Sequence, residues 1–150
     1  MKTLEALLTD IPHFWNGCGE LSTLVSGVQS DSRKIKPREI FVAVSGLSQD
    51  GHKFVDEAVK KGAVAVVSEH FNHRLDPSIP QVAVSNARSA LPFLVAASYD
   101  FPQKKMKCIG VTGTNGKTTT TFLIQYFLNL VNKCGLIGSI HYHILSLSTR

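Results

Sequence analysis

Gly110-Val-Thr-Gly-Thr-Asn-Gly-Lys-Thr-Thr119 joins an apolar run (Cys108, Ile109, Val111) to a stretch of helical character through a glycine-rich turn ending in Lys-Thr. Such a turn reads as a phosphate cradle. Glycines let the backbone curl until several N–H groups face one anion, and the helix that follows adds the partial positive charge of its N-terminus. Lys117 supplies a full charge for the β- and γ-phosphates, and the Thr118 hydroxyl is placed to ligate magnesium. The usual Walker spacing wants glycine five residues before Gly116, where Val111 stands, so the pattern present is G-x-x-G-x-x-G-K-T. A chance Gly-Lys-Thr in a surface turn would lack the strand before it and the helix after it.

The 150 residues, 43% hydrophobic and 18% charged, are ordinary globular material with enough apolar surface for a core. The net charge of +5 could suit nucleic acid, but the cations are scattered, not gathered along one helix or interleaved with aromatics. An anionic small substrate accounts for the excess equally well, and no nucleic-acid partner is expected. Cys18, Cys108 and Cys134 have no C-x-x-C spacing and are odd in number, which points to reduced thiols in a cytoplasmic protein. The six histidines are dispersed, and the pair His141 and His143 lacks further ligands nearby, so no zinc site is expected. Glu5 and Asp10 interrupt the amino-terminal apolar residues before a signal core can form, and nothing approaches a membrane span.

Along the chain, Leu4, Leu7 and Leu8 have helical spacing, and a polar, glycine-containing stretch runs on to Glu20. Val25 to Val28 and Ile40 to Val44 predict two strands joined by a loop carrying Ser30-Asp-Ser-Arg33 and Pro37. A helix is expected from about Phe54 to Lys61, stopped by Gly62. Ala63 to Val67 is apolar on both faces, the mark of a strand covered on two sides. Gln81 to Val84 is a further short strand, and Ala87 to Tyr99 is helical in character, with Pro92 expected to kink that helix or delay its start. Polar, proline-marked Phe101 to Met106 places a domain boundary, giving domains 1–101 and 102–150. After the cradle, Phe122, Leu123, Ile124, Tyr126, Phe127, Leu128, Leu130 and Val131 make a helix that wants cover on most of its circumference. Cys134 to Ile137 then reads as the next strand of a parallel sheet. One β-α-β unit cannot complete a nucleotide-binding domain. The fold class expected is therefore α/β: a small amino-terminal α/β substrate-binding domain, followed by the first β-α-β unit of a truncated P-loop nucleotide-binding domain.

These residues converge on a family. The cradle Val111-Thr-Gly-Thr-Asn-Gly-Lys-Thr-Thr-Thr-Thr121 resembles that of the ATP-dependent Mur ligases, the amide-forming enzymes that build the peptide stem of bacterial cell-wall precursors. The front half agrees: Ser30-Asp-Ser-Arg33, Ile40-Phe-Val-Ala-Val44, Gly46, Asp50-Gly-His52, Phe54, Ala58 and Gly62-Ala-Val-Ala-Val66 are similar to the small first domain of those members that add the third residue and the terminal dipeptide. Folylpolyglutamate synthetases share a similar phosphate loop without this front domain. Within the family, Thr114 and the four threonines Thr118 to Thr121 resemble the members that add the third residue more than the dipeptide-adding ones.

The resemblance implies ligation of meso-diaminopimelate or lysine to UDP-N-acetylmuramoyl-L-alanyl-D-glutamate, with ATP and Mg2+, through an acyl phosphate. It carries ATP onto Gly113, Thr114, Asn115, Gly116, Lys117, Thr118 and Thr119, with Lys117 on the phosphates as the catalytic residue and Thr118 on the metal. It carries contacts to the uridine diphosphate end onto Ser30 and Ser32 and onto a second segment, Leu47-Ser48-Gln49. A Ser-Asp-Ser turn that only caps its own backbone is the alternative at Ser30 and Ser32. Gly138-Ser-Ile140 falls where the family has a Gly-Thr segment, and His141 to Arg150 then departs from the pattern. The amine-binding domain, the modified lysine and the second magnesium ligand have no counterpart in these residues, so the chain alone is expected to be inactive. A noncatalytic nucleotide-binding module and the dipeptide-adding reaction are the competing readings.

Overall fold

The computed structural model describes residues 1–46 and 50–138, and the backbone of 142–143. The chain divides into two compact units, Met1–Met106 and Lys107–Arg150. The first is built on a five-stranded sheet in the order β2-β7-β6-β5-β4. Its members are β2 (His13–Trp15), β4 (Gly27–Gln29), β5 (Glu39–Val42), β6 (Ala65–Ser68) and β7 (Gln81–Val84). Strands β4 to β7 run parallel, and β2 closes one edge antiparallel to β7, His13 facing Val84. A two-stranded ribbon pairs β1 (Lys2–Thr3) with β3 (Leu24–Val25).

Alternation along the strands sorts the core into two layers. Ile40 and Val42 of β5, Ala65 and Val67 of β6, and Val82 and Val84 of β7 pack with Leu4, Leu7 and Leu8 of α1 (Leu4–Leu8) and with Ala87, Ala90, Leu94 and Ala97 of α3 (Ala87–Ser98). Phe41, Ala43 and Val66 point the other way, onto Val55 and Ala58 of α2 (Val55–Lys60). A parallel sheet is covered by helices on both faces, which is why β6 reads as an unbroken apolar run. Each fully buried large apolar side chain stabilises the fold by about 1.5–3 kcal/mol, and Phe41 and Leu94 are completely enclosed.

Local chemistry sets the element ends. The Thr3 hydroxyl accepts from the Ala6 N–H at 3.2 Å to start α1, and Asn86 Oδ1 accepts from the Ser89 N–H at 2.8 Å to start α3. Gly62 ends α2 with φ +103°, a conformation that L side chains rarely adopt.

Four expectations need correction. The strand sought at Val25 to Val28 is two, because β3 pairs with β1 while β4 joins the main sheet. The polar stretch before Glu20 contains β2, whose pairing with a strand about seventy residues away leaves no mark in local periodicity. Of the two effects expected of Pro92, a delayed start is excluded, since α3 begins at Ala87 with Pro92 inside it. In the second unit, residues 107–113 form no strand, and β8 (Leu136–Ile137) pairs antiparallel with β9 (Tyr142–His143) instead of extending a parallel sheet. A parallel ladder needs a neighbouring strand to accept its bonds, and the described residues of this unit contain none in that orientation. Helix α4 (Lys117–Asn129) leaves Tyr126 63% and Phe127 61% exposed.

Candidate functional site

Four parallel strands bring their carboxyl ends to one edge of the first unit, the edge at which open α/β sheets bind ligands. The chain leaving β4 forms the turn Ser30 to Lys34. Gln29 Oε1 accepts from the Ser30 and Asp31 N–H groups at 3.0 and 3.1 Å. Asp31 accepts from the Arg33 N–H at 3.0 Å and from the Arg33 guanidinium in bidentate fashion, both bonds at 2.9 Å. The Arg33 side chain and backbone donors pull the Asp31 carboxyl down to about 2, and the carboxylate holds Arg33 above its usual range.

The two serines of this turn part company. Ser30 is exposed. Ser32 is buried, and its hydroxyl donates to Glu57 Oε2 at 3.2 Å, while Lys61 Nζ donates to the Ser32 carbonyl at 3.2 Å and to Glu57 Oε1 at 2.6 Å. Lys61, and after it Ser32, hold the Glu57 carboxyl below the usual carboxylate range. The turn is thereby pinned to α2.

Beyond β5 a second turn is closed at its base by an antiparallel bridge between Ser45 and Asp50 and by the Gly51 N–H donating to the Val44 carbonyl at 3.1 Å. Gly51 is required for space: a Cβ there would lie 2.6 Å from the Val44 nitrogen and 2.7 Å from its oxygen. Leu47, Ser48 and Gln49, expected at a substrate, lie outside the described residues. Asp50 Oδ1 accepts from the His52 N–H at 3.1 Å and lies 2.7 Å from His52 Nδ1. These His52 donors hold the Asp50 carboxyl below the usual range. On the far side of the ring, His52 Nε2 is 3.4 Å from Glu69 Oε2, within ion-pair range but without hydrogen-bond geometry; both atoms are inaccessible to solvent. Glu69 Oε1 accepts from the Ala87 N–H at 2.8 Å, and Arg88 donates to the Ser45 carbonyl at 3.1 Å. A cavity of about 240 Å³ beside this group is lined by His52, Val55, Val66, Ser68, His70 and neighbouring residues.

The second unit carries the glycine-rich segment. Gly113 has φ +149° and Gly116, at the N-cap of α4, has φ +76°. Glycine is needed at both because a Cβ strains the backbone there. Lys117 Nζ folds back onto the segment, donating to the carbonyls of Gly113 at 2.5 Å and Thr114 at 3.2 Å. Gly113, Thr114, Asn115, Gly116, Lys117, Thr118 and Thr119 are all exposed, and the opening N–H groups of α4 point out of the helix end. An anion in front of this end would meet those N–H groups and the ammonium together. The exposed Thr118 hydroxyl in the first turn is an oxygen donor of the kind magnesium takes, so the residues present fit that metal. Among the described residues no cluster of three or more His, Cys, Asp or Glu could hold a metal by itself, and no helix is long and apolar enough to cross a membrane.

Glu57, Lys61, Glu69 and Arg88 carry no functional signal in the local sequence. Asp50 and His52 carry a local signal, an aspartate whose carboxylate accepts the N–H two residues on; Glu69 and Arg88 reach them only through the fold.

Residues 24–100 match the family model described as Mur ligase family, catalytic domain. The curated relatives include UDP-N-acetylmuramoyl-L-alanyl-D-glutamate--2,6-diaminopimelate ligase of Geobacillus thermodenitrificans, 41% identical over 138 residues, which are 91% of this chain and 27% of that protein. The ligase of the same name from Clostridium tetani is 42% identical over 143 residues, covering 93% of this chain and 29% of the relative. The chain thus spans under a third of the length of these relatives. Among solved structures, MurF from Acinetobacter baumannii aligns with a TM-score of 0.70 at 27% identity, over 87% of this chain and 28% of that one. MurF ligase from Thermotoga maritima, solved in complex with ADP, aligns with a TM-score of 0.54 at 28% identity, over 71% of this chain and 24% of that one.

Proposed function

The chain belongs to the Mur ligase family, and we propose that it supplies the uridine diphosphate-sugar-binding part and the phosphate-binding segment of a ligase that joins meso-diaminopimelate, or lysine, to UDP-N-acetylmuramoyl-L-alanyl-D-glutamate. The observation that carries this reading is the 41% identity to a diaminopimelate ligase over 91% of the chain, which takes in both the rim of the sheet and the glycine-rich segment. The dipeptide-adding reaction is the second reading, favoured by the likeness to MurF structures, but at 27% identity.

Under this reading Ser30 and Ser32, with Leu47, Ser48 and Gln49, serve the uridine diphosphate end. Ser30 is the direct contact by virtue of its exposure, and Ser32 acts by shaping the turn. Gly113 to Thr119 hold ATP: the N–H groups at the α4 end orient its phosphates and Lys117 neutralises the γ-phosphoryl group as it passes to the substrate carboxylate, whose acyl phosphate is then attacked by the incoming amine with release of phosphate. Thr118 would hold magnesium, which supplies charge neutralisation at the phosphates when bound. Positioning and charge are the contributions such a reaction asks of these residues. The domain division 1–101 and 102–150 and a cytoplasmic location belong to the same proposal.

Calorimetry of the chain with UDP-N-acetylmuramoyl-L-alanyl-D-glutamate tests it. Saturable binding, absent with adenosine monophosphate under the same conditions, is expected; equal heats from the two would overturn the reading. In a full-length enzyme carrying this segment, Lys117→Ala should remove most ATP-dependent ligation while uridine-substrate binding survives.

A further inference from the structure

We propose that Gln29 is the positioning residue for Ser30: its carboxamide folds over the start of the Ser-Asp-Ser turn and presents the Ser30 hydroxyl from a fixed backbone. This rests on the reading of the rim as the uridine diphosphate site. Gln29 is the last residue of β4, opposite Phe41 in the ladder, and β4 is the end strand of the sheet. No strand lies beyond it to take up N–H groups on its outer side, and backbone donors need an acceptor from some other source. Gln29 Oε1 supplies it, accepting from the Ser30 N–H at 3.0 Å and from the Asp31 N–H at 3.1 Å. A carboxamide oxygen has two lone pairs, so one side chain serves both amides.

The remainder of the turn is held by other groups. The Asp31 carboxylate accepts the Arg33 N–H, the Asp31 carbonyl accepts the Lys34 N–H at 2.9 Å, and Glu57 and Lys61 hold Ser32. Those bonds fix the turn from Asp31 onward, and Gln29 alone fixes its first residue. Among the described residues the exposed Ser30 hydroxyl has no hydrogen-bond partner, so it is the group of this turn left to meet a ligand. With the Ser30 and Asp31 N–H groups both engaged by Gln29, loss of the carboxamide frees the backbone that carries that hydroxyl. Binding should then weaken. Were the carboxamide instead competing with the ligand for the two amides, its loss would tighten binding.

Two substitutions separate reach from acceptor. Gln29→Met keeps the length of the side chain and removes the oxygen. Gln29→Asn keeps an oxygen on a shorter stem, which reaches the N–H two residues on, that of Asp31, as the Asp31 and Asp50 carboxylates reach Arg33 and His52.

The experiment compares the chain with Gln29→Met, Gln29→Asn, Ser30→Ala and the double variant of Gln29→Met with Ser30→Ala. Water exchange of the Ser30 and Asp31 amides is read by NMR and uridine diphosphate affinity by calorimetry, with urea unfolding to confirm that each variant is folded. Gln29→Met should speed exchange at both amides and weaken binding about tenfold, the worth of one to two neutral hydrogen bonds. Gln29→Asn should speed exchange at Ser30 alone and give an intermediate affinity. In the Ser30→Ala background Gln29→Met should cost little further affinity, because the group it positions is gone. Unchanged exchange in Gln29→Met, tighter binding by it, or losses that add in the double variant overturn the inference. Should Gln29→Met not fold, Gln29→Asn with and without Ser30→Ala decides in the same way. If the unsubstituted chain binds no uridine diphosphate, the rim reading falls instead, and the exchange at Ser30 and Asp31 still decides whether Gln29 holds the turn.

Discussion

The Ser32 hydroxyl donates to Glu57 Oε2 at 3.2 Å, and this one bond turns the second serine of the Ser-Asp-Ser turn toward the protein. Lys61 completes the set by donating to both Glu57 and the Ser32 carbonyl. The turn that leaves Ser30 exposed is therefore held from behind by α2, about one helical turn from that helix's C-terminus.

Removing the Glu57 carboxylate should leave the buried Ser32 hydroxyl without its acceptor, while the Lys61 ammonium keeps only the Ser32 carbonyl. Glu57→Ala is expected to lower stability, because the buried Ser32 hydroxyl loses its acceptor. Urea unfolding measures this, and an unshifted midpoint would show that solvent replaces the bond.

Asp31 gives a pH prediction. Its carboxyl is held down to about 2 by Arg33, below the roughly 3.9 of an unfolded aspartate. A depressed folded value means that the contribution to stability is present above the unfolded value and is lost as pH falls toward about 2. Arg33→Ala should return the carboxyl toward the ordinary range and remove that dependence. Carboxyl carbon shifts followed by NMR between these limits would show it; an Asp31 titration indifferent to Arg33→Ala would refute the cause.

Gly51 has no room for a side chain, its virtual Cβ lying against the Val44 backbone nitrogen and oxygen. Because the obstructing atoms are main chain, nothing can rotate away. Gly51→Ala should cost on the order of 1–3 kcal/mol as an overpacked site does, and should open the Ser45 to Asp50 bridge. Thermal unfolding, with exchange at Ser45 and Asp50, reads both effects.

The sheet's two-sided core predicts a contrast between aromatic residues. Phe41 is fully enclosed against α2, whereas Phe14 on the edge strand β2 is 78% exposed. Phe41→Ala should cost about 3–5 kcal/mol, and Phe14→Ala within about 0.5 kcal/mol. Comparable losses at both positions would mean that β2 is covered in solution.

Much of the first unit was legible because its signals are local. The apolar run at Ala63 to Val67 announced a strand covered on both sides, Gln81 to Val84 emerged with the bounds expected, and Gly62 stopped α2 where a glycine should. What escaped was what depends on a distant partner. The three residues His13 to Trp15 become a strand only because β7 offers its edge, and Ser26 divides one apolar run into strands of two different sheets.

By itself, then, the amino-acid sequence determined the α/β alternation, the helix that follows the glycine-rich turn beginning at Gly110, and the serine-bearing loop between two strands. These follow from periodicity, glycine placement and capping, all of which act within a few residues. Only the tertiary structure decided that Ser30 faces outward while Ser32 is held by Glu57, and that His52 lies between Asp50 and Glu69. It also decided that β8 pairs antiparallel with β9 and, among the described residues, with no parallel strand. Hydrogen bonds and ion pairs between segments far apart in the chain are set by the packing of the sheet and its helices, and that packing brings together residues whose spacing in the sequence carries no trace of the contact.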